Sequence, residues 1–295
     1  MSTPFAPAAQ STEDAAALAA QFGMSRAGAR APLREYLRQM WGRRNFILAL
    51  SSGNNAVGYS RSMLGQAWQV LTPLLNVAVY FLIFGLLLKT NRGVHNYIAF
   101  LVVGLFTFNF MTSAVTSGAK AITGNLGIIR SLHFPRAVLP TSTTIVALLQ
   151  LLYSLAVAIP IVIITGERPE LRWLEIVPAL ALITLFALGL GYLFARIGAH
   201  LPDTSQLLPF IMRVWMYLSG VLYSIDVFAK EHAEWVGTVL NLNPGAMYID
   251  LARHALIDGQ AASVHDWLVA IVWSVVVFVV GFVVFWQGEE EYGRV

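Results

Sequence analysis

Six long apolar stretches, each bounded by polar or charged residues, leave this chain few folds to choose from. They run Leu71–Leu88, Tyr97–Val115, Val138–Ile164, Trp173–Ala195, Leu207–Tyr223 and Trp267–Trp286. A helix rises about 1.5 Å per residue, so about 20 apolar residues cross a hydrocarbon core about 30 Å thick. Lipid offers no partner to a backbone N–H or C=O, and a helix satisfies both within itself. The expectation is an all-α integral membrane protein with six transmembrane helices. Composition agrees: 12% of residues are charged, against about 25% in soluble domains. There is no cysteine, which excludes disulfides and thiolate metal sites.

Loop charge orients the spans. Arg26, Arg30, Arg34, Arg38, Arg43, Arg44 and Arg61 precede the first span, and Lys120, Arg130 and Arg136 follow the second. With Arg196 and Arg294 they place twelve basic residues on one side, against six on the other. Both termini are therefore expected in the cytoplasm. The net charge of +3 then reflects this bias, and nucleic acid is not an expected partner.

Residues 1–30, rich in Ala, Ser, Thr and Pro, read as a disordered tail. Residues 31–69 hold an amphipathic helix with Leu33, Leu37, Met40, Trp41, Ile47 and Leu48 on one face, too charged to span and suited to an interface. The six-span domain covers 70–287 and a short tail covers 288–295, where Glu289, Glu290 and Glu291 read as a solvated end. The second span carries Thr107, Asn109, Thr112, Ser113, Thr116 and Ser117, so it faces protein or water rather than lipid. In the fourth, Ala187, Gly191, Ala195 and Ala199 recur every four residues and allow close helix contact.

Between the second and third spans lies a short apolar and basic helix, Leu126–Leu132, followed by His133, Phe134, Pro135 and Arg136. Lipid gives it no reason to exist, so it suits a socket in a partner protein. The segment from Asp226 to Asp266 holds two short helices, the second opened by an Asn243 N-cap and a first-turn Pro244. Met247, Tyr248, Leu251, Ala252, Ala255 and Leu256 form its apolar face, with Asp250, Arg253 and His254 elsewhere. The pair reads as a re-entrant external hairpin between spans five and six. His200 and Asp203 lack a third ligand, so no metal site is expected. Arg213 lies inside the fifth span, either paired structurally or facing water.

Taken in order, these landmarks resemble the ABC-2 class of ABC transporter permeases, and within it the exporters of O-antigen, galactan or teichoic acid. Arg61, Ser62, Leu64, Gly65, Trp68 and Pro73 are similar to the motif that precedes the first span. Asn125, Leu126, Ile129, Arg130, Phe134, Pro135, Arg136 and Pro140 resemble its coupling segment. Arg196 and Asp203 stand where that family has an adjacent arginine–aspartate pair.

The resemblance implies the permease subunit of an exporter in the bacterial cytoplasmic (inner) membrane, a homodimer bound to two copies of a separate ATPase subunit. ATP and Mg would be bound there, since no G-x-x-x-x-G-K-[ST] phosphate loop occurs in this chain. Leu126, Ile129, Arg130, Phe134, Pro135 and Arg136 would couple to the ATPase. The implied cargo is a polysaccharide carried on polyprenyl pyrophosphate. Arg61, Arg38, Arg43 and Arg44 would meet the pyrophosphate by bidentate contacts, or else attract anionic membrane lipid. Tyr80, Phe84, Phe108, Trp215 and Arg213 are the candidates for lining the channel. A drug or lipid efflux permease shares the architecture and remains the alternative, with no catalytic residue expected in either case.

Overall fold

The computed structural model describes residues 21, 31–59, 64–87, 94–230, 234–257 and 262–292, and all regular structure among them is helical. The expected tail at 1–30 (Gln21 apart) and Arg61 lie outside the described residues. Two helices precede the bundle, α1 (Leu33–Gly42) and α2 (Arg44–Tyr59). α3 (Trp68–Tyr80) runs on through a π-helical stretch, Phe81–Leu87. Then come α4 (Tyr97–Ala119), the short α5 (Leu126–Ser131), α6 (Val138–Ile164) and α7 (Ile176–His200), the last opened by a 3₁₀ turn at Leu171–Glu175. α8 (Thr204–Leu218), α9 (Ile225–Lys230), α10 (Glu234–Asn241), α11 (Pro244–Leu256) and α12 (Val264–Gln287) complete the chain.

Five of these stretches are long and apolar enough to cross a membrane: Trp68–Leu87, Tyr97–Ala119, Val138–Ile164, Leu171–His200 and Val264–Gln287. The expected fifth span, Leu207–Tyr223, is realised only as the 15 residues of α8. At 1.5 Å per residue these rise about 22 Å, short of the hydrocarbon core. The helix stops because Gly220 adopts φ +61, a left-handed conformation that ends a helix and suits glycine.

α4 is the hub. Of its apolar stretch 78% is buried, against 11% for α3, and α6, α7, α8 and α11 all pack on it. Of its hydroxyl residues Thr107 is buried, while Thr112, Ser113, Thr116 and Ser117 are half-buried. The expected small-residue stripe of α7 is buried, with Ala187, Gly191, Ala195 and Ala199 all inside. On its other side α7 meets α12 backbone to backbone: a Cβ on Gly281 would stand 2.1 Å from the Gly189 carbonyl oxygen. α12 turns Ala270, Ser274 and Phe285 inward and exposes Leu268, Val272, Val275 and Val279.

Candidate functional site: a braced coupling end and a locked distal end

At the end of the bundle that holds α1 and residues 288–292, here the proximal end, three separate pieces of chain meet on one carboxylate. Glu289 is 7% exposed. The Tyr36 hydroxyl of α1 donates to its Oε2 at 2.7 Å, and the Arg136 backbone N–H donates to its Oε1 at 2.9 Å. The Arg136 guanidinium donates to the Glu289 carbonyl, and the Ala137 N–H donates back to the Tyr36 oxygen at 3.1 Å. Burial pushes the Glu289 carboxyl up, while Arg136 and Tyr36 pull it down. Burial, with Glu289 beside it, likewise raises the Tyr36 phenol. A pocket of about 60 Å³ lies within this junction, lined in part by Tyr36, Ile129, Phe134 and Glu289.

The reading of residues 289–291 as a solvated end is therefore corrected for Glu289, while Glu290 and Glu291 are exposed as expected. Tyr292 is fully buried, stacks on Phe285 at 4.7 Å and donates to its carbonyl at 2.9 Å. Glu291 lies 3.0 Å from His200 and 4.0 Å from Arg196. Three acidic residues in a row looked like a solvated tail, and nothing local in the sequence marks Tyr36 as the partner of Glu289.

The segment expected to couple to an ATPase divides between anchor and surface. Ile129 and Pro135 are buried, Arg136 is committed to Glu289, and Phe134 meets Phe46 edge-on at 5.5 Å. Leu126 is half-buried. Arg130, Leu132 and His133 are exposed, Leu132 by 54%. Ile129 and Pro135 thus hold the segment to the protomer, and Leu132, which was not singled out, is exposed. Arg34, Arg38, Arg43 and Arg44 are all exposed nearby. Arg43 donates to the His133 carbonyl at 3.5 Å, and Arg44 lies over the Trp41 ring, 5.7 Å from its centre. Of the expected apolar face, Leu33, Leu37, Trp41 and Leu48 point outward, whereas Ile47 is buried and Met40 half-buried, and the stretch divides between α1 and α2.

At the opposite, distal end two side chains do most of the fastening. Asn243 caps α11 by accepting from the Gly245 N–H at 2.9 Å, as its sequence position predicts. The same oxygen accepts from the Trp215 indole at 2.7 Å, while its amide donates to the Leu218 carbonyl and the Ser219 hydroxyl. Arg253, expected off the apolar face, is instead 2% exposed. It donates to the carbonyls of Phe100, Gly220 and Val221 and pairs with Asp250 at 3.2 Å. Buried carbonyls at the frayed end of α8 need donors, and a guanidinium carries five. Burial pulls Arg253 below the usual arginine range, and Asp250 pushes it back.

Comparison with known proteins decides the family. Residues 46–257 match the ABC-2 type transporter family, a range that takes in the distal end and residues 126–137 but neither Tyr36 nor Glu289. The chain belongs to that family. Among relatives of this ABC-2 chain are the O-antigen export system permease protein RfbA of Klebsiella pneumoniae and its namesake in Myxococcus xanthus. The first is 26% identical over 216 residues, 73% of this chain and 81% of the relative. The second is 28% identical over 209 residues, 70% and 78%. The polysialic acid transport protein KpsM of Escherichia coli is 26% identical over 206 residues, 68% and 77%.

Within this ABC-2 transporter the expected channel residues separate. Phe108 is 1% exposed and lies edge-on to Trp215 at 5.7 Å, inside the protomer rather than at a wall. It sits on the side of α4 that packs against α8. Trp215 is half-buried and tied to Asn243. Tyr80 and Phe84 stack at 6.1 Å and are half-buried on α3 and its π-helical extension. Arg213 is exposed on α8, within electrostatic reach of Tyr80.

Proposed function

We propose that this chain is the membrane subunit of an exporter that moves a polysaccharide carried on polyprenyl pyrophosphate across the bacterial inner membrane. It works as a homodimer of six-span subunits, both termini cytoplasmic, driven by two separate ATPase subunits. The observation that carries this reading is the family match together with relatives, aligned over some seven-tenths of the chain, whose names specify O-antigen and polysialic acid export. The sixth crossing is α8 continued by residues 219–225, with α9–α11 folded back beside its outer end as the hairpin.

The proximal junction supports a coupling role. A knob tipped by Leu132 is held by buried Ile129 and by the Glu289 brace, so a push on it moves α1 and α12 together. Arg38, Arg43 and Arg44 sit beside it, where a pyrophosphate headgroup would arrive, with Arg61 assigned to the same task by its motif.

Two measurements test this. Depleting the protein should cause a lipid-linked glycan to accumulate inside the cell, and absence of any such glycan refutes the export reading. Leu132→Asp should abolish co-purification of the ATPase subunit or its transport-linked hydrolysis, with membrane levels unchanged. An equivalent change at Ile129 would unfold the knob instead and report on stability.

A further inference from the structure

Three helices that build the flank of the bundle each carry one carboxamide at mid-depth. Asn76 on α3, Asn109 on α4 and Gln150 on α6 all fall within about half a turn of the midpoint of their spans. All three line one groove of about 290 Å³ between those helices. None has a side-chain hydrogen-bond partner among the described residues. Asn109 is exposed although it sits in the most buried helix of the molecule, with Phe108 and Phe110 on either side buried. A carboxamide left unmatched in hydrocarbon is costly, and three converging on one groove call for a polar occupant.

The rest of the lining says which kind. Hydroxyls of Thr72, Thr112, Ser113 and Ser154 border the amides, and the rings of Trp68, Phe106 and Phe110 flank them. Among the described residues no charged side chain lines the groove. A phosphate or metal ion would find no counter-charge there. Amides that both donate and accept match hydroxyls, which do the same, and aromatic faces suit the C–H surfaces of a sugar ring. We infer that Asn76, Asn109 and Gln150 form a mid-membrane carboxamide belt that binds the hydroxyls of an uncharged stretch of glycan during transit. The inference rests on the export reading and adds to it the contact site and the neutral character of the bound segment.

The test uses full-length variants in a host whose own copy is depleted. Asn109→Leu/Gln150→Leu is expected to reach the membrane and retain its partner subunits, because both changes make the spans more lipid-compatible. Glycan should accumulate inside, with export reduced at least about tenfold, while Asn109→Gln retains most export. Wild-type export by the double variant overturns the belt and leaves the export reading standing. A depleted strain that accumulates no glycan overturns both.

A second measurement needs no loss of amides. The chain has no cysteine, so Asn109→Cys supplies a sole thiol for N-ethylmaleimide. Its modification in membranes should be severalfold slower when cells make glycan than when synthesis is blocked. Equal rates overturn the inference, and slow rates in both states mark a face covered by a second copy and overturn it equally.

Discussion

Glu289 shows what one buried charge does when its neighbours are well placed. Its two oxygens are used by donors from α1 and from the coupling segment, so it joins elements 253 and 153 residues apart in sequence. Glu289→Ala leaves the Tyr36 hydroxyl and the Arg136 N–H without their acceptor. Each loss costs about 1–3 kcal/mol, so a clearly lower unfolding temperature is expected in detergent. The carboxyl also sets a pH dependence. Burial raises it above its unfolded value, so the native state holds the extra proton between the two values. Stability from this group therefore falls as pH rises through that window. Relative to Glu289→Gln, the wild-type protein should lose unfolding temperature as pH rises above the ordinary carboxylate range. A difference that stays flat or runs the other way would show that the carboxyl is not raised.

Among the elements, contact distance and capping decide which helices stay together. α7 and α12 touch through Gly189 and Gly281, where even a methyl group has no room. Gly281→Ala must part the two backbones, and the expected destabilisation is about 1–3 kcal/mol, read by thermal unfolding. At the distal end Asn243 holds the start of α11 against the end of α8. Asn243→Ala removes the cap, worth about 0.5–2 kcal/mol, and orphans the Trp215 indole as well. Faster proteolysis between α8 and α11 would register the loosened hairpin. Unchanged cleavage would mean that Arg253 alone fastens it.

For the whole molecule, the two fastened ends are linked by α4, which packs on α6, α7, α8 and α11. The distal lock attaches to α4 at Phe100, and the coupling knob follows the other end of the same helix. If the proposed coupling role holds, Leu132→Asp should uncouple hydrolysis from export without lowering thermal stability, since Leu132 is largely exposed.

Apolar length made the membrane class and five of the six expected long apolar helices readable from residues alone, because a bilayer imposes that requirement locally. The Asn243–Pro244 cap was legible for the same reason, since a cap is made within a few residues. Glu289, Tyr36 and Arg253 were not, because each finds its partners across the bundle and isolated charges look solvated in one dimension. The length of α8 was likewise hidden, since a helix end set by a left-handed glycine depends on the backbone path beyond it. Which face of the coupling segment is anchor and which is surface, and which carboxamides share a groove, were settled only when helices far apart in the chain packed side by side.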